Sequence, residues 1–238
     1  MKLLPSLLLV AFLAACGSGS QTNFSIRPAS VRAYELPADW RSASVPVFEQ
    51  RAAEFGPLSL SDSALDELTE ALATEDLTNV RAAVLLARSR DARAKERILI
   101  RLEQRVLSST REGDAGDVVC AATLTDWDLS AEELDRLERL ASGAAPHPDL
   151  EVRTEIACAL TRSGRKSQIP FMLRVLREGT LAQSATVEWE RKPQMAWAKS
   201  RAAEALSELA GVEVAYQEDG AFSEMAAEAA RLEELLKD

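Results

Sequence analysis

Four arginines, Arg93, Arg97, Arg101 and Arg105, recur every four residues. At 3.6 residues per turn this spacing lays a slowly drifting basic stripe along one side of a helix. A guanidinium is a planar fork of N–H donors that grips a carboxylate or phosphate through two bonds, so the chemistry on offer is anion recognition. Arg136 and Arg139, then Arg174 and Arg177, repeat the theme further along the chain. Two readings of these residues are open. They form a basic seam that captures a partner, or Glu96, Glu103, Glu132, Asp135, Glu138 and Glu178 neutralise them on a solvated face. Trp189 is the other candidate contact. It stands among Glu188, Glu190 and Arg191 in the stretch 180–193, and its ring either meets a partner or packs on a neighbouring helix.

Other chemistries find little to build on. His147 is the single histidine and lies between two prolines, so a histidine metal site or a Ser-His-Asp triad has no base. The glycines Gly17 and Gly19 fall in a polar tract rather than between a strand and a helix, which removes a phosphate-cradling loop. Carboxylate pairs such as Asp126/Asp128 and Glu132/Glu133 are numerous, and nothing singles out one with the fixed separation of a glycosidase. The chain reads as a non-enzyme with no metal or cofactor. Its net charge of −10 makes nucleic acid a poor bulk partner.

The elements that must position these side chains are short amphipathic helices. Aromatics are only 5% of the sequence while small and branched aliphatic residues abound, a composition suited to helices packing through small side chains. Residues 149–179 form the clearest unit. Asp149 caps a first helix with an apolar face of Val152, Ile156, Ala159 and Leu160; Gly164 stops it. Ser167 caps a second helix carrying Ile169, Met172, Leu173 and Leu176, with Pro170 in its first turn, where its missing N–H costs no bond. Weaker copies flank it. One opens with a capping box at Ser63/Asp66 and another with Ser130/Glu133, and Gly143 and Gly211 act as stops. Val80, Val118, Val152 and Ser200 fall in register, and arginine follows three of them, at Arg81, Arg153 and Arg201. Helices this short are unstable singly and must stack to bury their stripes.

On Asp149, Val152, Arg153, Ala159, Leu160, Ile169, Pro170 and Leu173, residues 62–236 resemble the HEAT-repeat family. The resemblance implies an all-α fold, an α-solenoid of about four to five stacked hairpins, with second helices lining a concave face. The arginines above fall on those second helices. The paired His-Glu motifs of HEAT-like hydroxylases have no counterpart here, given one histidine. Cys120 and Cys158 are offset by a turn in the repeat alignment, an awkward geometry for a disulfide, and buried free thiols are expected.

The N-terminus speaks to compartment. Lys2 is followed by an apolar run to Ala15, too short to cross about 30 Å of bilayer but suited to a secretory signal. Leu13-Ala14-Ala15-Cys16 resembles the lipobox of bacterial lipoproteins, which implies diacylglyceryl transfer to the Cys16 thiol and cleavage before it. The chain then divides into a signal peptide at 1–15, a flexible tether at 16–46 with a reach on the order of 30 Å, and a helical domain at 47–238. The expected role is a lipid-anchored scaffold or adaptor of the bacterial envelope, binding other envelope proteins. The resemblance places it on the periplasmic side of the outer membrane where the host has two membranes. The alternative is a binding module for anionic envelope glycan or lipid, using the arginines.

Overall fold

The computed structural model describes residues 34–54, 59–74, 76–107, 115–177, 192–215 and 222–237. The signal segment 1–15, Cys16 with most of the tether, and Trp189 lie outside the described residues. The protein is all-helical. Among the described residues ten helices form, and β structure is confined to one isolated parallel bridge between Tyr34 and Leu60. No helix among them is long and apolar enough to cross a membrane. The chain divides into two compact units, 1–94 and 95–238.

The first unit holds α1 (Val45–Glu54), α2 (Asp62–Ala71), α3 (Leu77–Ser89) and the first residues of α4 (Ala92–Leu107). Helix α3 packs against α2 and α1. Asp76 opens α3 by accepting the Thr78 N–H at 2.8 Å. Helix α2 opens earlier than the Ser63/Asp66 pattern predicts. Ser61 is its cap and accepts the Ala64 N–H at 3.0 Å. The cause lies far away in sequence: the Ser61 N–H donates to the Tyr34 carbonyl at 3.1 Å, holding Ser61 extended so that helix geometry begins at Asp62. Arg81 then ties α3 to the segment before α1. Its guanidinium donates to the carbonyls of Trp40, Arg41 and Ala43 and stacks 5.1 Å from the Phe48 ring centroid.

The second unit runs through the rest of α4, then α5 (Ala115–Thr123), α6 (Ala131–Ser142), α7 (Leu150–Arg162), α8 (Ile169–Arg177), α9 (Lys192–Ala210) and α10 (Phe222–Leu235). The Ser130/Glu133 capping box is complete in both directions, and Asp149 caps α7 through the Val152 N–H at 3.0 Å. Gly164 and Gly211 take left-handed φ values of 83° and 67°, which an L side chain resists. Gly143 serves a different purpose. Its φ is −69°, and a Cβ there would lie 2.5 Å from the Arg139 carbonyl oxygen, so it is required for close approach.

Helix α7 is the centre of this unit, packing against α5, α6 and α9. The periodicity predicts one apolar face; in fact nine of its thirteen residues are buried. With neighbours on several sides, its small residues Ala157, Cys158 and Ala159 are as enclosed as Ile156 and Leu160. Helix α8 packs against α9 and α10, and Met172, Leu176, Ala202, Leu206, Ala229 and Leu232 join α7 in one core. Each large aliphatic side chain sealed there contributes about 1.5–3 kcal/mol. Ser167 departs from its expected role as cap. It lies in a 3-10 turn, Lys166–Gln168, and its hydroxyl donates to Glu138 at 2.8 Å, so α8 grows directly out of that turn. Cys120 and Cys158 are buried thiols with no disulfide between them, and burial pushes the Cys158 thiol far above its ordinary pKa.

Candidate functional site

The arginine stripe of α4 exists, and the acids around it decide its chemistry. Arg93 belongs to the first unit, where it donates to Asp91 at 2.7 Å, to Asp62 at 2.5 Å and to the Leu60 carbonyl at 2.5 Å. Asp91 also accepts the Leu60 N–H at 3.1 Å, so this arginine and Asp91 pin the start of α2. Arg97 is half-buried on the same helix. Arg101 and Arg105 lie one turn apart, and both donate through Nε to the two oxygens of Asp117, at 2.9 and 2.7 Å. The Asp117 side chain is only 2% exposed. Two guanidiniums closing on one buried carboxylate clamp α4 to α5 across residues 108–114, which lie outside the described residues.

Later arginines work between helices in the same way. Arg136 of α6 forks onto Glu103 of α4 at 2.8 and 2.9 Å and reaches Glu96 at 2.8 Å. That fork holds the Glu103 carboxyl below the usual carboxylate range, and Arg139 adds to the field. Lys95 of α4 meets Glu133 of α6 at 2.8 Å. Arg165, before α8, meets Asp135 of α6 at 2.9 Å, and Arg177 of α8 pairs with Glu233 of α10. A zipper of charge-assisted bonds therefore runs α4–α6, α6 to the turn before α8, and α8–α10. Arg139 and Arg174 are different. Both are exposed, and among the described residues neither forms an ion pair; Arg174 lies over the Phe171 ring at 5.7 Å.

Three acids, Asp117, Glu155 and Glu151, are not singled out by the sequence pattern. Asp117 lies in the first turn of α5, just past residues 108–114. On α7, Glu155 is fully buried and accepts from Arg201 of α9 at 2.7 Å. Glu151 is half-buried, and its carboxyl is pushed up to about 7 by burial first and then by the charges of Asp149 and Glu155. The register arginines thus share one task. Arg81 and Arg153 donate to backbone carbonyls of preceding segments, the latter to Ala141 at 2.9 Å, while Arg201 reaches a preceding helix through Glu155.

In the first unit a cleft of about 250 Å³ is lined by Tyr34, Trp40, Phe48, Arg51, Ala52 and Leu85 among others. Its polar rim is already engaged: Arg51 pairs with Asp39, and Trp40 Nε1 donates to Glu67 at 2.8 Å. Among the described residues no group of three or more His, Cys, Asp and Glu side chains is arranged to hold a metal ion. No protein-family model, no curated protein and no solved structure matches this chain.

Proposed function

We propose that this chain is a lipid-anchored scaffold of the bacterial cell envelope, a HEAT-like α-solenoid whose stacked hairpins present faces to other envelope proteins. The observation that carries this reading is the repetition of neighbours in the second unit. Helix α7 packs against both α5 and α9, α8 packs on α10, and arginines in register link α7 to the end of α6 and α9 to α7. Repeated neighbours of this kind support a one-dimensional stack, an architecture whose extended faces serve binding. Anchoring rests on the lipobox-like Leu13-Ala14-Ala15-Cys16 and the polar tract after it. In bacteria, Cys16→Ser should abolish incorporation of labelled fatty acid and leave the uncleaved chain. Unchanged labelling would end the anchor assignment.

Arg139 and Arg174 favour a second reading, an anionic partner such as envelope glycan or lipid, because their guanidiniums are exposed and not in ion pairs with the described acids. Crosslinking in the native membrane followed by the double substitution Arg139→Glu/Arg174→Glu separates the two. Loss of protein crosslinks supports the scaffold. Loss of salt-sensitive glycan or lipid binding, with protein crosslinks intact, supports the alternative. Full retention of both removes these arginines from either role.

A further inference from the structure

The one histidine of this chain is sealed inside it. His147 lies in the loop between α6 and α7 and is 1% exposed. Its backbone N–H donates to the Leu140 carbonyl at 2.8 Å, tying the loop to the end of α6. Its ring Nδ1 accepts the Asp149 N–H at 3.2 Å. Asp149 in turn caps α7, so the ring holds the residue that starts the central helix. An accepting Nδ1 carries the lone pair and leaves the proton of the neutral ring on Nε2. Nε2 is buried and, among the described residues, has no hydrogen-bond partner.

The charged groups facing the ring come from three elements: Asp117 of α5, Arg105 of α4 and Asp149 at the head of α7. The two carboxylates favour a proton on the ring; burial and Arg105 oppose it. Burial is the largest influence and holds the ring below the ordinary histidine range.

We propose that His147 is an acid-operated latch on the α6–α7 joint: a proton arriving at Nδ1 removes the lone pair that holds the Asp149 N–H and releases the first turn of α7. With the ring neutral, the latch is shut. On acidification the ring becomes a cation with N–H groups at both nitrogens, so Nδ1–H and the Asp149 N–H point donors at each other. The new charge must then turn toward the carboxylate of Asp117 or Asp149, or leave the core. Because α7 packs against α5, α6 and α9, loosening its first turn loosens joints on several sides.

A lone histidine makes the test clean, since one ring signal reports one site. The intact chain is followed by nitrogen NMR of the ring and by amide exchange at residues 149–153, at about pH 7.5 and about pH 5. Native protein should show a ring midpoint below the ordinary value. Its amide protection at 149–153 should fall on the order of tenfold as the ring takes up its proton, since protonation and opening are linked. His147→Asn keeps an acceptor near the Nδ1 position and cannot titrate, so its protection should hold. Glu151 titrates nearby with the opposite sign, but it is present in both proteins and cancels in the comparison. Protection that is steady in the native protein, or that falls equally in both, overturns the latch. Should His147→Asn fail to fold, the native protein decides: one shared midpoint for ring protonation and the Asp149 amide shift supports the latch, and separate midpoints refute it.

Discussion

Replacing Glu151 by glutamine should make the protein more stable at alkaline pH and leave it nearly unchanged in mild acid. Glu151 is half-buried at the start of α7, between the charges of Asp149 and Glu155, and no ion pair engages it among the described residues. The folded state therefore holds the Glu151 proton up to about 7, against an ordinary value of 4.5. Between these limits the native chain binds more protons than the unfolded chain, so stability falls as pH rises from about 4.5 to about 7. The difference sets an upper bound of about 3 kcal/mol on the penalty above pH 7. Relaxation and water reaching a half-buried group reduce this, and a gain of about 1–2 kcal/mol is expected. Urea unfolding of native protein and Glu151→Gln at pH 8 should show a midpoint higher by about 0.5–1 M, taking a slope of about 2 kcal/mol per molar. At pH 5 the folded carboxyl is already protonated, so most of the gain should vanish. A midpoint at pH 8 that is unchanged or lower, or the same gain at both pH values, would refute a raised Glu151 pKa in the folded state.

Two further substitutions test the packing. Asp117→Asn leaves Arg101 and Arg105 without their shared buried counter-charge and should cost about 3 kcal/mol, read as a lower urea midpoint at pH 7; a loss under about 1 kcal/mol would mean the clamp is not holding α4 to α5. Gly143→Ala puts a methyl 2.5 Å from the Arg139 carbonyl oxygen, and the backbone at the end of α6 must shift at a cost of about 1–3 kcal/mol; an unchanged melting temperature would show that α6 ends more loosely than this contact requires.

Helix ends set by neighbouring residues are legible in the chain. Asp149 and the Ser130/Glu133 box start helices where their types predict, and Gly164 and Gly211 stop them in left-handed backbone. Ends set by distant contacts are not. Ser61 displaces Ser63 because the Tyr34 carbonyl pins it, and Ser167 gives its hydroxyl to Glu138 instead of capping α8. The same division runs through the candidate site. That arginines lie in a stripe follows from spacing alone. That Arg101 and Arg105 converge on Asp117, and that Arg136 forks onto Glu103, depends on how hairpins close and which helices become neighbours. Glu151 carries no local mark at all. Its raised pKa comes from burial together with acids before and after it, and burial all round α7 exceeds what its periodicity shows.

The two interior thiols have a practical consequence. Cys120 and Cys158 are each at most 1% exposed, and burial makes the thiolate of Cys158 scarce at any physiological pH. The helical region is in effect silent toward maleimides and spin labels while folded. A single cysteine engineered at Arg139 or Arg174 would then carry a probe at one chosen spot, with the native pair left in place.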